Sequence, residues 1–215
     1  MSIIFKEFDK IPRLSRECVV TEKLDGTNAC VAIDEETGKV YAQSRSRLIY
    51  PDDDNYGFAR WVRENEAELS KLRHGHHYGE WWGQGVQRGY GLTEKRFSLF
   101  NVSRWADAEM RPACCHVVPV LYQGVFCTGR IDDALDVLRM HGSVAAPGFG
   151  QPEGIIIYHV ASGSLFKKTC THDDEPKNAH IKKERQPRPP KDPSKGGRRI
   201  EQLPYSGPDK RNAPR

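Results

Sequence analysis

Apolar patterning stops near Cys170, and that boundary limits what the 215-residue chain can fold into more than any other feature. From there on Pro, Lys, Arg, Gly and Asp dominate, as in Pro187-Arg188-Pro189-Pro190-Lys191. Such a stretch cannot bury enough apolar area to offset the entropy lost on ordering it. Residues 170–215 are therefore expected to form a flexible basic tail, and residues 1–169 a single folded domain. Charge divides the same way. The tail holds 12 basic and 7 acidic side chains, leaving 21 and 22 for the rest. A hydrophobic fraction of 37% and a mean hydropathy of −0.69 also fit a chain only partly committed to a core.

The opening Met1-Ser2-Ile3-Ile4-Phe5-Lys6 is too short for a signal-peptide core. No apolar run approaches the roughly 18 residues of a membrane span. Six cysteines show neither a C-x-x-C pair nor disulfide-framework spacing. Reduced thiols in a cytoplasm are expected, with no membrane partner. A basic region on such a chain makes nucleic acid a reasonable partner.

Before the boundary, short strand-type segments dominate. Cys18 to Lys23 favours a strand, Asp25-Gly26 supplies turn chemistry, and Asn28 to Ile33 reads as the next strand. A turn at Asp34-Glu35-Glu36-Thr37-Gly38 leads to a third strand, Val40 to Ser44, so the opening reads as hairpin-rich. Residues 58–72 switch to helical period, with Phe58, Trp61, Val62, Leu69 and Leu72 on one face. Further strands are expected at Tyr78–Trp82, Phe97–Val102, Val117–Leu121, Gly154–Val160 and Leu165–Thr169, and a second helix at Ile131–His141. Strand and helix do not alternate regularly, which predicts an α+β fold of mostly antiparallel sheet.

Chemistry gathers around Lys23. A lysine beside a tight turn is ordinarily just a solvated side chain. It attacks an electrophile only as the neutral amine, and its ordinary pKa is about 10.4. Attack near neutral pH needs desolvation or a nearby cation. Gly26 allows the backbone to turn sharply and admit a large neighbour. Asp25 and Asn28 add oxygens suited to Mg²⁺, directly or through its waters.

The run Lys23-Leu24-Asp25-Gly26-Thr27-Asn28 resembles the K-x-D-G-x-N lysine motif of the covalent nucleotidyltransferases, which include RNA ligases, DNA ligases and mRNA capping enzymes. Further elements follow in that family's order. Ser44-Arg45-Ser46-Arg47 stands where the family has a Ser-Arg element contacting ribose or the incoming 5′-phosphate. Two registers are possible, and Arg45 is favoured. In Gly79-Glu80-Trp81-Trp82-Gly83, Glu80 takes the place of the Glu that binds ribose hydroxyls or a metal-bound water. Phe97-Ser98-Leu99-Phe100 resembles the strand whose aromatic stacks on adenine, and Phe100 is the choice. Glu153-Gly154-Ile155-Ile156 matches the element whose Glu binds the catalytic metal. Lys167-Lys168-Thr169 stands where relatives carry Lys-x-Lys on one strand face. Adjacent lysines point to opposite faces of a regular strand. Either a bulge brings both to the phosphates, or one lysine serves and Thr169 partly replaces the other.

The resemblance covers roughly residues 18–169. It implies a nucleotidyltransferase (ATP-grasp-like) fold of mainly antiparallel sheets with flanking helices. It also implies ATP and Mg²⁺ (or Mn²⁺) as cofactors, with Lys23 as the adenylated nucleophile. Glu22, Asn28, Arg45, Glu80, Phe100, Lys167 and Lys168 would bind nucleotide, and Asp25 and Glu153 metal. Glu22 would touch adenine partly through its backbone. Asn28 stands where RNA ligases of the editing and repair type have Asn, whereas DNA ligases and capping enzymes commonly have Arg. The implied activity is ATP-dependent RNA joining: lysyl-AMP forms, AMP passes to a 5′-phosphate, and a 3′-hydroxyl displaces it. The implied partner is RNA with such ends, acted on by a monomer. A DNA-nick ligase, a strand-adenylating enzyme and a catalytically silent nucleotide- or nucleic-acid-binding module are the alternatives. Only 46 residues follow Thr169, which reads as a nucleotidyltransferase domain with a tail.

Other features carry plainer expectations. His74-Gly75-His76-His77 reads as a polar turn entering a strand, since no partner pair stands at zinc spacing. Asp52-Asp53-Asp54 fits capping of the following helix. Gln87-Arg88-Gly89-Tyr90-Gly91 reads as a flexible glycine loop, and Cys114-Cys115 as packing or a surface loop.

Overall fold

A computed structural model describes residues 3–173; the expected tail lies almost wholly outside the described residues. Two sheets carry the architecture. In the first, the strands run β10 (Ser164–Thr169), β9 (Gly154–His159), β1 (Glu17–Lys23) and β8 (Val120–Val125). In the second they run β4 (Leu48–Ile49), β3 (Val40–Ser44), β2 (Thr27–Ile33), β5 (Gly75–Gly83), β6 (Lys95–Leu99) and β7 (Cys115–Val117). Every pairing is antiparallel except β6 with β7. The expected α+β class with mostly antiparallel sheet is what the chain adopts.

Each sheet buries one face under helix. Period-two alternation sends Ala29, Val31, Ile33, Trp81 and Phe97 to one side of the second sheet. There they pack on Phe58 and Val62 of α1 (Phe58–Glu64) and on Leu69 and Leu72. The expected helix over 58–72 buries the expected face, but it is broken. Asn65 interrupts it, and α2 (Glu66–Leu69) and a 3-10 turn (Ser70–Leu72) complete the span. Asp54 accepts from the amides of Ala59 and Arg60, so the acidic run does cap α1. In the first sheet Cys18, Val20, Ile155 and Ile157 pack on Ile131, Leu135 and Leu138 of α4 (Thr128–His141). A third cluster, Leu24, Trp82, Tyr90, Val118 and Ala146, draws on segments leading from both sheets.

Some expectations need correction. β1 and β2 are not a hairpin: β1 pairs with β8 and β9, while β2 pairs with β3 and β5. Leu24-Asp25-Gly26 is a crossing from one sheet to the other. A second crossing divides the strand expected at Val117–Leu121, because Val118-Pro119 separates β7 of one sheet from β8 of the other. The strand expected to reach Val102 stops at Leu99. Asn101 then accepts from the Arg104 amide and caps a helical turn, α3 (Val102–Trp105). All six cysteines are free, and no helix among the described residues is long and apolar enough to cross a membrane.

Candidate active site

Lys23 ends β1 at the point where the chain leaves the first sheet. Its Nζ lies 2.5 Å from Glu153 Oε2, with the two side chains 19% and 6% exposed. Glu153 immediately precedes β9, the antiparallel neighbour of β1, and Lys23 faces Gly154 across that ladder. A Cβ on Gly154 would come within 2.2 Å of the Lys168 carbonyl oxygen, so the glycine after Glu153 is needed for close pairing of β9 with β10.

Gly26 is required for a similar reason. A Cβ there would lie 2.3 Å from the Trp81 carbonyl oxygen and 2.7 Å from the Trp82 Cβ. Close approach to β5, rather than an unusual backbone angle, explains this glycine. Packed so tightly, its amide donates to Glu80 Oε1 at 3.1 Å. Glu80 is 8% exposed, and burial pushes its pKa up to about 7, against the lowering effects of Lys23 and the Gly26 amide. Asn28 pairs across the ladder with Glu80 and shares its face, exposed.

Asp25 carries a partner that sequence reasoning missed. Arg88 Nε donates to Asp25 Oδ2 at 2.7 Å, and its Nη1 donates to the carbonyls of Gln151 at 2.9 Å and Pro152 at 3.4 Å. One guanidinium thus ties the segment after the lysine to the segment before Glu153. The supporting loop is anchored rather than flexible. Tyr90 is buried with φ 52°, meets Trp82 edge-on and Phe149 at a tilt, and accepts from the Asp25 amide at 2.9 Å through its hydroxyl. A non-glycine residue in that region costs about 1–2 kcal/mol, which those packing contacts offset. Only the basic side chain in a Gly-flanked loop hinted at Arg88, and composition could not say where it would reach.

The remaining expected residues fall into two groups. Lys167 lies on the same face of the first sheet as Lys23, because it pairs with Ile156 and Ile156 pairs with Thr21. Phe100 follows β6 and is 41% exposed, its amide bonded to the Tyr78 carbonyl. Arg45 is exposed in the β3–β4 turn, while Arg47 forms a two-pronged pair with Asp53, which leaves Arg45 as the available arginine of that turn. By contrast, Lys168 pairs with Ile155 on the face turned toward α4, and its Nζ binds Asp132 Oδ1. The β9–β10 register is unbroken, so no bulge brings Lys168 round to join Lys167. The side chain of Glu22 also points to that face. It is 1% exposed and accepts from Ser143 Oγ, Val144 N and Ala145 N. Its carboxylate anchors the turn after α4, leaving only its backbone on the strand leading to Lys23; burial raises its pKa despite these bonds.

A family model described as RNA ligase matches residues 16–169, most of the chain. The chain belongs to the RNA ligase family. Lys23, Asp25, Glu80 and Glu153 all fall inside the RNA ligase match. Among solved structures, a Naegleria gruberi RNA ligase mutant with ATP and Mn aligns with a TM-score of 0.54 at 18% identity, covering 74% of this chain and 51% of that one. Another mutant of the same ligase, in its apo form, gives 0.52 at 18% identity, covering 75% and 53%. At such identity the likeness is one of fold. The chain spans about half the length of those RNA ligase structures. Among curated proteins there is no match.

Proposed function

We propose that residues 1–169 form the adenylation domain, of nucleotidyltransferase fold, of an ATP-dependent RNA ligase, with Lys23 as the nucleophile. The single observation that carries this is the Lys23–Glu153 pair at 2.5 Å, set beside the buried Glu80 within a chain of the RNA ligase family. Support for ATP and a divalent metal comes from the Naegleria gruberi structure that contains ATP and Mn.

In the first step Lys23 Nζ bonds to the α-phosphorus of ATP. The bond from that phosphorus to the bridging oxygen breaks, and its electron pair leaves with pyrophosphate. The attacking nitrogen must lose a proton, and Glu153 Oε2 is the acceptor within reach. Before nucleotide arrives, the ion pair with Glu153 holds the Lys23 side chain in place. Lys167, on the Lys23 face, would meet phosphate oxygens, and Asn28 and Arg45 would contact the nucleotide or the incoming 5′-phosphate. Phe100 would stack on the base. AMP would then pass to the 5′-phosphate of an RNA strand, and a 3′-hydroxyl would displace it. Such transfers are driven mainly by positioning and by charge placed where it accumulates.

Among the described residues no three His, Cys, Asp or Glu side chains converge as a ready-made cage. The donor set still fits a cation that arrives with the nucleotide, since Mg²⁺ commonly takes one or two carboxylates and completes its shell with phosphate oxygens and water. Glu153 would hold it, and Asp25, whose Oδ2 binds Arg88, would supply a second oxygen through Oδ1. When bound, a cation there favours the neutral amine and offsets charge on the α-phosphate.

Incubation with ATP labelled at the α-phosphate, with Mg²⁺ or Mn²⁺, should place an acid-labile label on the chain. The Lys23→Ala variant should take none. A wild-type chain that stays unlabelled, or a label that survives Lys23→Ala, sinks the proposal. A panel of 5′-phosphorylated strands, with RNA or DNA on the 3′-hydroxyl side, then tests RNA joining.

A further inference from the structure

Alternation along β5 places His76, Tyr78, Glu80 and Trp82 on one face, opposite the face where His77 and Trp81 meet Trp105 and Phe58. The two ends of this row differ. Glu80 and Trp82 are covered, yet Tyr78 is 55% exposed and His76 is also exposed. Both stand on an inner strand, since β5 lies between β2 and β6. Their cross-strand neighbours on β2 are small, Cys30 beside Tyr78 and Ala32 beside His76, so the sheet itself does not shield the rings. The rings of His76 and Tyr78 stack on each other, with centroids 6.0 Å apart and planes 16° apart. Phe100, just after β6, adjoins Tyr78, its amide donating to the Tyr78 carbonyl. On β3, Tyr41 stands across Ala32 with Lys39 Nζ 5.2 Å from its ring.

We propose that this open face of β5, beyond Glu80, is a stacking surface for unpaired bases of the RNA strand whose end enters the site. The inference rests on the RNA ligase reading and extends it to how the substrate is held. Flat rings accept any base, because every base has a π face, and that suits a surface that grips a strand without reading its sequence. The rings are continuous with the site: successive same-face residues on a strand are about 7 Å apart, so Tyr78 and His76 step outward from Glu80 at distances suited to the nucleotides next to the reacting one. Lys39 supplies positive charge for phosphate at the far end.

The test uses the full 215-residue chain and a 5′-phosphorylated single-stranded RNA carrying 2-aminopurine near its 5′ end. Binding should quench the 2-aminopurine by stacking. The double variant His76→Ala/Tyr78→Ala should raise the Kd about tenfold, a loss typical of removing stacked bases, and should restore the fluorescence. Tyr78→Phe should behave as wild type, and all variants should form lysyl-AMP from ATP normally, which also reports that they fold. An unchanged Kd and quench in the double variant overturn the proposal, as does Tyr78→Phe behaving like alanine. So does a wild-type complex that binds without quenching. Absence of lysyl-AMP in the wild type would instead overturn the adenylation reading, with the quench still deciding the stacking surface.

Discussion

Arg88 Nε and Asp25 Oδ2 lie 2.7 Å apart, although 63 residues separate them along the chain. The same guanidinium holds the carbonyls of Gln151 and Pro152, so Arg88 binds the segment just after Lys23 and the one just before Glu153. Arg88 acts through those neighbours and is a positioning residue. Hydrogen bonds to charged groups of this kind contribute about 1.5–3 kcal/mol.

Arg88→Ala should therefore slow lysyl-AMP formation roughly 10- to 100-fold, with most of the loss in the single-turnover rate rather than in the KM for ATP. Arg88→Lys, which keeps charge but loses the fork, should recover only part of it. A loss confined to KM would assign Arg88 to nucleotide binding instead.

Glu80 gives a pH signature. Its pKa is raised from 4.5 to about 7, chiefly by burial. The protonated acid therefore favours folding fully below pH 4.5, and that contribution is lost as pH rises through 7. The difference amounts to about 3 kcal/mol. Glu80→Gln keeps an acceptor for the Gly26 amide and does not titrate. Urea denaturation should find the variant close to wild type at pH 5 and more stable at pH 8, with lysyl-AMP formation impaired at both. Parallel pH profiles for the two proteins would contradict the raised pKa.

Gly26 tests the close approach of the lysine segment to β5. In Gly26→Ala the new methyl meets a backbone carbonyl that cannot swing aside. A loss of about 1–3 kcal/mol is expected, measured by urea denaturation, together with weaker adenylation because Lys23 shifts. Unchanged stability would mean that β5 yields readily at Trp81.

The two lysines of β10 should separate cleanly. Lys167→Ala should reduce lysyl-AMP formation, because that side chain shares the face of Lys23. Lys168→Ala loses an exposed pair with Asp132 and should change stability by less than about 1 kcal/mol, leaving adenylation intact. Equal effects on activity would contradict the assignment of faces.

Much of the candidate site's geometry was legible because its parts are short local patterns. Lys23, Asp25 and Gly26 form one run, and Glu153 precedes a glycine whose closeness to β10 explains its place. The faces of Lys167 and Lys168 followed from strand alternation once the register was known to be unbroken. Arg88 was not legible, since its partners are 63 residues away in both directions. Nor was the crossing at Leu24-Asp25-Gly26, because Asp-Gly turn chemistry is the same whether the next strand pairs back or joins another sheet. The direction of the Glu22 side chain was hidden for a related reason: alternation sends its carboxylate away from Lys23, toward a turn 121 residues on.

The placement of β1 also bears on synthesis. β1 is made before both strands that flank it: β8 and β9 come about 100 residues or more later, and Glu153 trails Lys23 by 130. Contacts so distant along the chain form late and slowly. A nascent chain emerging from the ribosome thus carries Lys23 without the carboxylate that pairs with it in the folded domain. The Lys23–Glu153 pair comes together only when β9 closes beside β1.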